Sequence, residues 1–90
     1  MATFNRDTTF YIPSNISWQD IFKKVYIIKE NTKNIIILRG KMRSVWLCIA
    51  DTLNYDSLFH NAIIKQLKHN YVDDLLCTFI DAQILGVKHE

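Results

Sequence analysis

The 90-residue sequence predicts an α+β domain in which a small N-terminal antiparallel sheet of three strands precedes a bundle of three helices. Three observations carry that prediction. Residues 25–38 are dense in β-branched and aromatic side chains and are broken once by a polar turn. After Gly40 the apolar period changes from strand-like to helical. Only two glycines and one proline interrupt the rest, so nothing disordered, linker-like or collagen-like fits a chain that is 49% apolar and 22% charged.

The elements follow in order. Residues 1–15 hold the only proline, Pro13, among scattered Asn, Thr and Ser, and read as a flexible arm or an edge-strand lead-in to a single domain over 16–90. A short strand is expected near Ser17–Phe22, and a firmer one at Val25–Lys29, where Val-Tyr-Ile-Ile meets the polar turn Glu30-Asn31-Thr32-Lys33-Asn34. Ile35–Leu38 then pairs back as a hairpin partner. Neighbouring residues of a strand face opposite ways, so four consecutive aliphatics ask for apolar company on both faces. Arg39-Gly40 closes the strand.

Val45, Trp46, Ile49, Ala50 and Leu53 form one amphipathic stripe, giving a helix over about Met42–Asp51 with Trp46 in the core. Tyr55, Leu58, Phe59, Ala62, Ile63 and Leu67 form a second, with Asn54 as its N-cap. Val72, Leu75, Leu76, Phe79, Ile80 and Ile84 form the third, with Asp73 and Asp74 in its first turn and Gly86 just past its end. Strands followed by three short-looped helices make a winged-helix-like arrangement.

Chemistry is sparse in this sequence. His60, His69 and His89 offer no metal-ligand spacing, Ser44, Ser57 and Thr78 sit inside helical patterns, and two glycines make no phosphate loop. Cys48 and Cys77 lie in apolar runs and read as buried core thiols, not metal ligands. No enzyme activity, metal or cofactor is expected. No stretch has the length and apolarity of a membrane span or a signal peptide, so the expected location is cytoplasmic, with no membrane partner. The charge is uneven. Residues 1–45 carry eight Lys or Arg against three acids, and residues 46–90 carry three against six, so an anionic partner should meet the N-terminal half.

Two recognition modes compete. A winged-helix DNA-binding regulator would put one helix in the major groove, but the third helix offers Asp73, Asp74 and Asp81 to phosphates, which disfavours nucleic acid. If Ile35–Leu38 instead lies at a sheet edge, its unpaired backbone groups could take an added strand, whether a guest peptide or a twin copy in a homodimer. The competing reading is a central strand covered by helices.

Leu38, Val45-Trp46 and Cys48-Ile49, then Asn54-Tyr55-Asp56-Ser57-Leu58, then Asp74-Leu75-Leu76, Phe79-Ile80 and Leu85-Gly86-Val87 together resemble the spaced apolar motifs of PqqD-like proteins, over about residues 20–87. Arg39-Gly40 and Ala50-Asp51 depart from that pattern. The resemblance implies a stand-alone precursor-peptide recognition element of the kind that serves ribosomally made, modified peptides, lasso peptides and radical-SAM products among them. Such an element has no activity of its own. It binds the precursor's leader as an added strand on the third strand, in a cleft walled by the third helix, and presents it to a separate peptidase or radical-SAM maturation enzyme. Carried onto this chain, Lys33, Asn34, Ile35, Ile36, Ile37, Leu38 and Arg39 would supply the edge, and Val72, Leu76, Phe79 and Gln83 the wall.

Overall fold

The computed structural model describes residues 4–88. Nine elements follow in order: β1 (Thr9–Tyr11), β2 (Ile16–Ile21), β3 (Lys24–Lys29), β4 (Asn34–Arg39), α1 (Gly40–Thr52), α2 (Tyr55–Leu58), α3 (Ala62–Lys65), α4 (His69–Asp81) and β5 (Gly86–Lys88). Strands β2, β3 and β4 form a three-stranded antiparallel sheet in that spatial order, and β1 pairs with β5 in a separate two-stranded one.

The register of the larger sheet sorts its side chains into two faces, because directly paired residues share a side. One face holds the rows Asp20-Val25-Leu38, Trp18-Ile27-Ile36 and Ile16-Lys29-Asn34. Val25, Ile27, Leu38 and Ile16 on it are buried. Helix α1 lies across this face: Trp46 meets Trp18 edge-on at 6.0 Å between centroids, and Phe79 of α4 closes on Trp46 the same way at 5.5 Å. The core is therefore a stack of sheet, α1 and α4, with Trp46 fully enclosed at its centre.

The β2–β3 connection is two residues long, Phe22 and Lys23, both with positive φ. A loop of that length matches the right-handed strand twist only in a primed turn, which requires positive φ at its central positions and favours Asn-Gly there. Gly40 also has positive φ, +57°, where β4 turns into α1, a conformation that a residue with a Cβ adopts only under strain.

The sheet, the helix after Gly40 and the Asn54 cap follow the sequence. Asn54 Oδ1 accepts the Ser57 N–H at 2.9 Å. Several expectations need correction. The arm contains β1, and Phe10 is buried, with its N–H donating to Leu53 O, while Tyr55 N–H donates to Thr8 O. The second helix is two single-turn helices. Asn61 breaks it by capping α3, its Oδ1 accepting from the Ile63 and Ile64 N–H groups, so Ile64 is buried and Ile63 exposed. The third helix starts at His69, which puts Asp73 and Asp74 beyond the first turn. It ends at Asp81 in a Schellman motif. The N–H of Gln83, a residue in the left-handed conformation, donates to Ile80 O, and Ile84 N–H reaches Phe79 O. Gly86 is consequently not a helix terminator. It faces Tyr11 across β1 and β5, where the Tyr11 ring occupies the space a Cβ would take.

Candidate functional site

Strand β4 is an edge. On one side it pairs with β3, Lys24↔Arg39 through Lys29↔Asn34, and on the other no strand among the described residues reaches it. An edge strand carries a row of N–H and C=O groups turned outward on alternate residues, available to another backbone. Its side chains divide by face. Leu38 is buried beneath α1 and Ile36 is half-buried, whereas Ile35 is 62% exposed and Ile37 42%. Apolar cover on both faces is thus not realised. Helices cover one face, and Ile35 and Ile37 stand in the open beside Ile28 and Tyr26 of β3.

Basic groups flank the edge. Lys33, exposed and with positive φ, donates its N–H to Lys29 O in the turn that leads into β4, and Asn34 opens the strand opposite Lys29. Arg39, exposed, pairs with Lys24 at the other end and is the N-cap residue of α1. Just beyond it, Lys41 Nζ lies 5.5 Å from the centroid of the Tyr71 ring. That contact sets the first turn of α4 beside the first turn of α1, directly after the exit from β4. Asp20, the acid at this end of the sheet, is occupied: Arg43 Nε and Nη2 donate to its two carboxylate oxygens, each at 2.8 Å, and hold the carboxyl below its ordinary pKa.

The helix wall differs from the one the sequence suggests. Val72, Leu76 and Phe79 are buried in the core, Phe79 against Trp46 of α1, so none of them lines an open cleft. Gln83 is exposed but lies beyond the end of α4. The exposed residue of α4 that meets the first turn of α1, through Lys41, is Tyr71, 38% exposed. Its neighbourhood in sequence, Lys68-His69-Asn70, reads as a break in the apolar pattern, and that placed the helix start too late to include it.

Away from the edge, one polar cluster stands out. Tyr55 Oη donates to Asp73 Oδ1 at 2.7 Å and sits 3.0 Å from His69 Nε2, while the His69 ring stacks on Phe59 at 3.9 Å. Burial, reinforced by the hydrogen bond to Asp73, pushes the Tyr55 hydroxyl pKa up, so this phenol stays protonated. The cluster fastens α2 to the first two turns of α4 and presents no activated nucleophile. Cys48 and Cys77 are free and half-buried rather than enclosed, and burial raises both thiol pKa values, away from thiolate reactivity. Among the described residues no group of three His, Cys, Asp or Glu is placed to hold a metal ion, and no helix is long and apolar enough to cross a membrane. Comparison with family models, with curated proteins and with solved structures returns no match.

Proposed function

We propose that this domain is a stand-alone precursor-peptide recognition element of winged-helix-like build. It accepts the leader segment of a ribosomally made peptide as a fourth strand along β4 and presents that peptide to a separate peptidase or radical-SAM maturation enzyme. The observation that carries the reading is the position of β4 at the open edge of an ordered sheet, with Ile35 and Ile37 exposed on it. Long aliphatic edges are avoided where they serve no purpose, since they invite pairing with other chains. Main-chain hydrogen bonds along Asn34–Arg39 supply affinity, and the alternating side chains of the edge supply choice. The first turn of α4, at Tyr71, rather than its Val72-Leu76-Phe79 face, flanks the guest near the exit of β4.

Titration calorimetry with leader peptides encoded beside this chain's gene tests the reading. Saturable binding is expected, lost in Ile37→Lys while the far-ultraviolet circular dichroism and the melting transition persist, because position 37 is open to solvent. Undiminished affinity in that folded variant would exclude β4 as the binding edge.

A further inference from the structure

We infer that the guest strand is acidic at one end and apolar at its centre: it places a carboxylate beside Arg39 and β-branched or aromatic side chains beside Ile37 and Ile35. This rests on strand addition at β4 and specifies what is added. The outer face of the sheet is built of three cross-strand rows, Ser17-Ile28-Ile35, Gln19-Tyr26-Ile37 and Ile21-Lys24-Arg39. A fourth strand extends each row by one residue, and directly opposed residues on one face interact most strongly. Opposite Ile37 and Ile35, the matching neighbour is apolar, because Tyr26 and Ile28 already continue those rows inward and water is excluded only if the new residue continues them outward.

The row through Arg39 sets the charge. Lys24 and Arg39 stand side by side on it, Lys23 is in the adjoining turn and Lys41 follows in α1. The acid nearest in the register, Asp20, points to the other face and is held by Arg43 through two hydrogen bonds, so it leaves this row uncompensated. The far end of the hairpin is different, because Glu30 stands in the same turn as Lys33 and next to Lys29. Only the Arg39 end calls for an anion.

The same charges argue against a second copy as the occupant. If β4 paired with its twin about a two-fold axis at Ile36, Lys33, in the turn that leads into the strand, would stand opposite the twin's Arg39 at each end of the ladder. Like charges directly opposed in a sheet destabilise it. Antiparallel pairing continues the order of this sheet and is the stronger ladder. Read from its N-terminus, an antiparallel guest then has an acid followed by apolar residues two and four positions later.

Fluorescence anisotropy with the full chain tests this. The probes are a labelled synthetic peptide containing Glu-Thr-Val-Thr-Val between Gly-Ser flanks and its twin with Lys in place of Glu. The acidic peptide is expected to bind about tenfold tighter at ~50 mM salt, with the gap narrowing at ~300 mM. Arg39→Glu combined with Lys24→Glu should reverse the preference. The carboxylate introduced at position 39 would stand at the N-cap of α1, where a negative charge suits the helix, so this variant is expected to fold. Equal affinity of the two peptides, or a preference the double variant leaves unchanged, would overturn the acidic assignment. If both peptides bind equally and both are lost in Ile37→Lys, strand addition stands and only the acidic assignment fails. If neither peptide binds, or light scattering shows a dimer that Ile37→Lys dissolves, the assignment is overturned as well.

Discussion

The two outer strands of one sheet treat their edges in opposite ways. Strand β2 carries Ser17 and Gln19 on its outer face and Asp20 on the face that the helices cover, and Arg43 reaches across from α1 to pin that carboxylate. An inward-pointing charge at an edge is a common device against unwanted pairing, because a strand laid over it would have to desolvate it. Strand β4 has no such device between Asn34 and Arg39, only four aliphatics. Both strands pair with the same β3, so the sheet itself does not impose the difference. It lies in the side chains, and it marks β2 as the closed edge and β4 as the open one.

Single substitutions can break this contrast. The largest effect is expected where β4 changes face between neighbours. Leu38→Ala removes a side chain that is 1% exposed and should destabilise the domain by about 2–5 kcal/mol, whereas Ile37→Ala next to it should cost under about 1 kcal/mol. Urea titrations of both variants check this, and similar losses would mean that the outer face is packed. A smaller effect is expected at the turn between β2 and β3. Phe22 is 94% exposed, and both it and Lys23 have positive φ, so no contact of the Phe22 ring offsets the strain. Replacing the pair by Asn-Gly should raise stability by about 1 kcal/mol with an unchanged denaturant slope.

The smallest effect concerns the pH dependence of the guarded edge. The Arg43 hydrogen bond, the largest influence on Asp20, lowers its pKa below the ordinary value of 3.8. A carboxyl with a depressed folded value stabilises the fold fully above its unfolded value, and loses that contribution as pH falls through the folded one. Asp20→Asn should therefore flatten the acid limb of the melting-temperature profile below about pH 4 and leave its shape near neutrality unchanged. An acid limb as steep as that of the parent chain would show that the pair does not couple to folding.

The hairpin of β3 and β4 was legible because β-branched runs flank one polar turn, and α1 because the period changes at Gly40. The pairing of β1 with β5 was not. Three-residue strands at opposite ends of the chain carry too little periodicity to be read, and Gly86 has the same meaning on paper whether it ends a helix or makes room for Tyr11. Asn61 was hidden by an apolar stripe that runs on past it, from Phe59 to Ile63. For the site, the spacing of Val72, Leu76 and Phe79 correctly puts them on one helical face. Periodicity cannot tell whether that face turns to the core or to a cleft, and here packing against Trp46 decides it. The edge position of β4 is likewise a property of strand order, which local sequence does not encode.

Amide hydrogen exchange, resolved by residue with and without saturating leader peptide, tests the contrast between the two edges most directly. Guest addition at the open edge should slow exchange at alternate amides between Asn34 and Arg39 while those of Ile16–Ile21 exchange as before. Protection that appears along β2, or bound peptide that leaves β4 unprotected, would contradict the account.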